Sequence, residues 1–201
     1  MTKKRARRGP YSKSAGRREE IVHAAFEVFA ARGYLSGSLQ EIADRLGRSQ
    51  TGLLHYFPSK QALLLAVLAE RDVSAKPATA QADPHDLLAE VLNQARHNEQ
   101  VPGLIELYTV LLGESVTEDH PAQGFFTDRF ARLRASYARK LRALESQGRL
   151  RPGVDVDRAA ASLVGLWDGL QTQWLLGAHE VDVSACLEDY LNGILLPAAS
   201  S

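Results

Sequence analysis

The chain is predicted to be all-α, with a small three-helix N-terminal domain followed by a larger helical body. Three observations carry that expectation. Apolar residues recur at three- and four-residue spacing along most of the length, prolines and glycines break these runs into helix-sized pieces, and no stretch alternates apolar with polar residues as a half-buried strand would. With 201 residues, 45% of them hydrophobic, the chain can bury a real core. No internal repeat or low-complexity tract interrupts the pattern.

The first helix is expected from Arg17. Ile21, Ala25, Val28 and Phe29 fall on one face, Val22 and Phe26 widen it, and Gly33 supplies a stop. Ser38-Leu39-Gln40-Glu41 is a capping box that starts the second helix, in which Ile42 and Leu46 share a face, Ala43 leaves room for a neighbouring backbone, and Gly47 ends the run. Ser49 caps a third helix that Pro58 closes after about two turns. A fourth runs from Lys60 to Ser74 with Leu63, Leu64, Val67 and Leu68 on a stripe, and the polar connector AKPATAQADPH ends it. Further helices are expected near 85–100, 102–117, 122–147, 156–177 and 183–196, separated at Pro102, Pro121, GRLRPGVD and Gly177, about nine in all.

A net charge of zero conceals an asymmetry. Residues 1–18 carry Lys3, Lys4, Arg5, Arg7, Arg8, Lys13, Arg17 and Arg18 and no acid; residues 1–60 hold twelve basic and five acidic side chains, and the remainder twelve and nineteen. A basic end on an acidic body suggests one module for a polyanion and another for a different task. The expected division is a basic, flexible arm over 1–16, a domain over 17–58 and a larger domain over 59–201. No apolar run is long enough for a membrane span, and the basic N-terminus lacks the apolar stretch of a signal peptide, so a cytoplasmic location is expected. The single cysteine, Cys186, agrees with a reducing compartment. No glycine-rich phosphate loop or nucleophile motif speaks for an enzyme. Glu114, Glu118, Asp119 and His120 lack a second histidine or a cysteine nearby and read as a solvated acidic turn, so neither metal nor cofactor is expected.

Two short helices joined at a glycine turn and braced by a longer one form the plan of a helix-turn-helix. Leu53 and Phe57 would anchor the third helix to Ile42 and Leu46, leaving Gln50, Thr51 and Gly52 at the end that enters a major groove. Gly52 costs a helix about 1 kcal/mol against alanine, and the absence of a side chain permits close approach to DNA.

IVHAAFEVFAARGYLSGSLQEIADRLGRSQTGLLHYFPSKQALL, residues 21–64, resembles the N-terminal domain of the TetR family of bacterial transcriptional regulators. The resemblance implies an all-helical homodimer that represses a promoter until a small molecule binds the C-terminal domain, with DNA binding in the domain over 17–58 and ligand binding and dimerisation in the domain over 59–201. It implies phosphate contacts from Ser38, Tyr56 and Lys60, places Gln50, Thr51 and His55 nearest the bases, and adds Arg48 in the turn. Tyr56 fits partial core filling as well, and His55 a plain surface position. Members of the family commonly carry a tyrosine where this chain has Leu54, which leaves a thymine methyl contact or simple packing for the leucine.

The body is read with less detail. Leu163, Leu166, Leu170 and Trp174, with Leu187, Tyr190, Leu191 and Ile194, make an apolar surface broader than one helix pair can hide; a four-helix interface between two copies would cover it, and the small residues Ala159, Ala160, Ser162, Gly165 and Gly169 would permit close helix approach. Two recognition helices about 34 to 36 Å apart would then read a palindromic operator in double-stranded DNA. LVGLWDGLQTQWLL, residues 163–176, resembles a segment of BetI-like members and sets Asp168 and Gln171 in an apolar helix, where each needs a partner: an effector, or a side chain such as Arg134. Tyr108, Phe126, Phe130 and Tyr137 are candidate walls of an effector pocket, with core packing as the other reading; Trp167 and Trp174 share that ambiguity, with the dimer interface as a third option. An effector-independent DNA-binding protein is the alternative, and it predicts a body filled solid.

Overall fold

The computed structural model describes residues 10–74, 86–177 and 180–197. Among them nine helices run in the order α1 (Pro10–Ser36), α2 (Leu39–Arg45), α3 (Gln50–Leu54), α4 (Lys60–Ser74), α5 (Leu87–Glu99), α6 (Pro102–Ser115), α7 (Gln123–Ser146), α8 (Val156–Leu176) and α9 (Val183–Ile194). The all-α expectation holds, and the sole extended pairing among the described residues is one antiparallel bridge between Leu150 and Leu195.

One boundary differs. The arm expected over 1–16 lies outside the described residues as far as residue 9, and α1 already begins at Pro10 instead of Arg17. Proline suits a first helical position, where its missing N–H would have had no partner, and no second proline follows before the break at Gly33. The polar connector expected at 75–85 also lies outside the described residues. Local chemistry fixes most other starts: Ser38 Oγ accepts from Glu41 N–H at 3.1 Å, Ser49 Oγ from Gly52 N–H at 3.2 Å and Ser59 Oγ from Ala62 N–H at 3.0 Å. Asp86, Asp155 and Asp182 do the same for α5, α8 and α9.

Two hydrophobic clusters organise the molecule. The first unites Ile21, Val28 and Phe29 of α1, Ile42 and Ala43 of α2, Leu53 and Phe57, and Leu63, Leu64, Val67 and Leu68 of α4 with Leu107 and Leu111 of α6 and Phe126 of α7. The second joins α5, α7, α8 and α9 through Val91, Leu141, Leu163, Trp167, Leu187 and Leu191. The first cluster spans residues 58 and 59: α1 packs broadly on α6, so the N-terminal head shares its core with the body.

Candidate nucleic-acid interface and effector site

Leu53 and Phe57 of the α3 segment are 0% and 2% exposed, and they lock it against the fully buried Ile42 and Ala43. That contact turns the opposite face outward, so Gln50, Thr51, Leu54 and His55 are exposed. Leu54 is exposed, with 37% of its surface open. A Cβ placed on Gly52 would meet nothing nearer than Ser49 Oγ at 3.4 Å, so the face beside Gln50 is open. Tyr56 is half-buried against the first cluster, which matches the packing reading in part.

Charge around this face is partly spoken for. Arg48, expected to reach DNA, pairs with Glu20 of α1 at 2.8 Å, while Arg45 pairs with Glu27 at 2.7 Å and Arg32 with Glu41 at 3.3 Å. These pairs tie α1 to α2 and the turn, and partly exposed pairs of this kind each stabilise by about 1 kcal/mol or less. Ser38 is exposed at the start of α2. Lys60 is half-buried: its ammonium stands 4.4 Å from the Tyr34 ring centroid and donates to the Leu35 carbonyl at 3.4 Å. Desolvation lowers its pKa, and the nearby Glu114 carboxylate opposes that shift.

The acidic turn after α6 separates into two halves. Glu118 and Asp119 are exposed as expected, but His120 is 6% exposed and Glu114 turns inward. His120 Nδ1 accepts from Ala122 N–H at 3.2 Å, its Nε2 lies 3.6 Å from Glu114 Oε2, and its ring meets Tyr34 edge-on at 5.2 Å. Glu114 also accepts from the amides of Tyr34 at 2.6 Å and Leu35 at 3.3 Å. Sequence spacing gave no sign of these contacts, which link positions about eighty residues apart. Among the described residues no group of three His, Cys, Asp or Glu side chains is placed to hold a metal.

Asp168 sits on α8 facing α7, and burial pushes its carboxyl up to about 6, with the Arg129 guanidinium pulling against that rise. Arg134, the partner considered from sequence, is exposed on α7 and does not serve; Arg129 and Arg134 flank the inward residues of one helix, and periodicity alone does not choose between them. Arg129 also covers the Tyr108 ring at 4.8 Å. Burial, with Glu90 and Asp168 adding to it, pushes the Tyr137 hydroxyl up to about 12 against the pull of Arg129. Glu90 in turn pairs with Lys140. The candidate pocket residues divide between the clusters: Tyr108 and Phe130 pack on the first, Tyr137 and Trp167 in the second. Gln171 and Trp174 line a separate crevice of about 10 Å³ with Ala95, Asn98 and Ile105, room for about one water. Trp174 also borders an open depression of about 500 Å³ with Arg96, Glu99 and Glu188.

The expected dimer residues divide by exposure. Leu163, Leu170, Trp174, Leu187 and Leu191 are between 0% and 8% exposed in the single chain, because α5 and α7 already cover them. Leu166, Tyr190 and Ile194 remain half-open, and Tyr190 donates to the Ala159 carbonyl at 2.9 Å. The outward face of α8 carries Ala161 and three of the small residues expected to allow close helix approach, Ser162, Gly165 and Gly169. Nothing lies within 4 Å of a Cβ built on Gly165 or Gly169.

Comparison with known proteins follows this division. Residues 21–67 match the family described as bacterial regulatory proteins, tetR family. Residues 106–196 match the family described as BetI-type transcriptional repressor, C-terminal. The HTH-type transcriptional regulator BetI of Rhizobium meliloti (strain 1021) is 27% identical over 190 residues, 89% of this chain and 89% of that protein. The HTH-type transcriptional activator FasR of Mycolicibacterium smegmatis is 47% identical over 62 residues, 31% of this chain and 28% of that protein. A transcriptional regulator from Saccharomonospora viridis, solved in complex with choline, is 25% identical with a TM-score of 0.75, covering 91% of this chain and 100% of that one.

Proposed function

The chain belongs to the TetR family of bacterial transcriptional regulators, with a body of the BetI type, and from that premise we propose that it acts as a homodimeric repressor, released from a palindromic operator by a small organic cation. The observation that carries the DNA-binding half is the outward face of α3, where Gln50, Thr51, Leu54 and His55 surround the open Gly52. Ser38 and Lys60 stand at the flanking helix starts, where backbone amides and positive charge suit phosphate. Cytoplasmic residence follows from a role on DNA; no helix among the described residues is long and apolar enough to cross a membrane.

The dimer is supported by α8. Glycine inside a helix costs about 1 kcal/mol relative to alanine, and neither Gly165 nor Gly169 is needed for packing within the protomer. Two copies of this face meeting across a two-fold axis would let the α8 backbones approach closely, with Leu166, Tyr190 and Ile194 at the margins.

The effector class is argued from Asp168. A carboxylate that burial holds at about 6 is an expensive group to keep in an apolar helix, and it lies near Tyr137 and within reach of Arg129, which itself stacks on Tyr108. The chain thus places its own cation on an aromatic face beside an acid. A ligand cation would take the place of the Arg129 guanidinium, using the same ring and the same carboxylate; the choline bound by the relative from Saccharomonospora viridis is of that chemical class. Entry requires α6, α7 and α8 to separate, which couples occupancy to the shape of the body.

Binding of the protein to genomic fragments across a salt series tests the first half. One palindrome should be enriched, Gln50→Ala should alter base preference, and Lys60→Ala should weaken binding to all sequences. For the second half, choline should raise the thermal midpoint and release the operator, and Asp168→Asn should abolish both responses. The filled space between α6 and α8 favours an effector-independent regulator as the second reading. Selective operator binding with no response to choline or other quaternary ammonium compounds would select it.

A further inference from the structure

We propose that Glu114 is a positioning residue for DNA binding: from the end of α6 it clamps the last turn of α1, beyond the break at Gly33, and so holds Ser38 and Lys60 in the arrangement that meets the operator. The inference rests on the regulator reading. Its basis is one carboxylate that accepts from two successive backbone amides, Tyr34 N–H at 2.6 Å and Leu35 N–H at 3.3 Å. The same two residues receive Lys60, whose ammonium lies over the Tyr34 ring and donates to the Leu35 carbonyl. Three residues beyond Leu35 comes Ser38, the cap of α2. The clamp therefore touches the piece of backbone on which both flanking phosphate contacts depend.

Gly33 shows how closely the carboxylate is fitted. Its backbone, at φ 71° and ψ 179°, is in a region open essentially to glycine alone. A Cβ there would overlap Glu114 Oε1. On the far side, the His120 ring closes the site against Tyr34, with Nε2 facing Glu114 Oε2. A charged group held by two backbone donors transmits displacement of its helix to the turn it holds.

Glu114 and Tyr108 are on the same helix, six residues apart, a separation of about 9 Å along the axis. Tyr108 is where Arg129 stacks in the effector region. A shift of α6 that accommodates a ligand at Tyr108 draws the carboxylate away from the amides of Tyr34 and Leu35, and the turn is released.

The test uses the full-length protein and an operator duplex enriched from genomic DNA. Glu114→Ala and Glu114→Gln are compared with wild type in operator affinity, in thermal midpoint and in hydrogen exchange at the amides of Tyr34 and Leu35. In Glu114→Ala, exchange at those two amides should speed at least tenfold and operator affinity fall about tenfold, the scale of one lost charge-assisted hydrogen bond, while non-specific binding at low salt stays unchanged. Glu114→Gln, which keeps one acceptor, should fall between the two. Unchanged exchange, unchanged operator affinity, or an affinity loss that only tracks a fall in thermal midpoint would overturn the clamp. Absence of selective binding by the wild-type chain would remove the regulator reading itself, a distinct result.

Discussion

Replacing Asp168 by asparagine removes a charge that folding has to desolvate, and the structure sets the size of the gain. Burial against α7 raises its carboxyl from 3.8 to about 6, even with Arg129 pulling it down. That difference of about two units corresponds to about 3 kcal/mol. At neutral pH the group is ionised in both the folded and unfolded chains, and the folded state bears the whole penalty. Between about pH 4 and pH 6 the folded chain keeps a proton that the unfolded chain has lost, so the stability due to this group falls as pH rises through that window. Asparagine cannot ionise. Urea denaturation at about pH 7.5 should find Asp168→Asn more stable than wild type by about 3 kcal/mol, and the gap should shrink to about 1 kcal/mol at about pH 4.5. A variant no more stable than wild type at the higher pH, or a gap that does not change with pH, would show that Asp168 is well solvated or firmly paired, and the case for it as an effector's anchor would go with it.

Leu53→Ala should lower stability by about 2 to 5 kcal/mol, because the side chain is fully buried where α1, α2 and α4 meet; chemical denaturation measures it, and near-UV circular dichroism checks that the head remains folded. Glu20→Gln should change stability by less than about 1 kcal/mol, since its pair with Arg48 is largely exposed. It should also free that arginine, and operator binding should show a steeper salt dependence. Gly165→Leu fills the open face of α8 and should convert a sedimenting dimer to monomer while leaving helical content intact; a dimer that persists would place the interface elsewhere.

How much of this was legible in the sequence depended on the range of the interaction. Ser38, Ser49 and the spacing of Ile42, Leu46, Leu53 and Phe57 act within a few residues of one another, so the helix-turn-helix and its outward face could be read directly. The helix order of the body was readable for the same reason, from proline and glycine breaks and apolar periodicity. Which apolar residues of α8 are covered within the chain was not legible, because periodicity marks which residues are buried but not what buries them: the apolar side of α8 is turned toward α6, α7 and α9, and its small-residue side faces out. Arg129 and Glu114 were missed because their partners, Tyr108 and Asp168 for the one and Tyr34, Leu35 and His120 for the other, are brought close only by the tertiary fold.

The shared first core has a practical meaning for the evolution and engineering of such a molecule. Leu107, Leu111 and Phe126 belong to the body by position, yet they complete the core of the head. A graft that moved residues 10–74 onto another body would carry an open apolar socket, and its success would depend on whether the new host's sixth helix presents side chains of matching shape. Recognition and response are therefore not interchangeable cassettes in this chain; they are inherited together, and a transplant that respects the fold must take α6 along with the helices that read DNA.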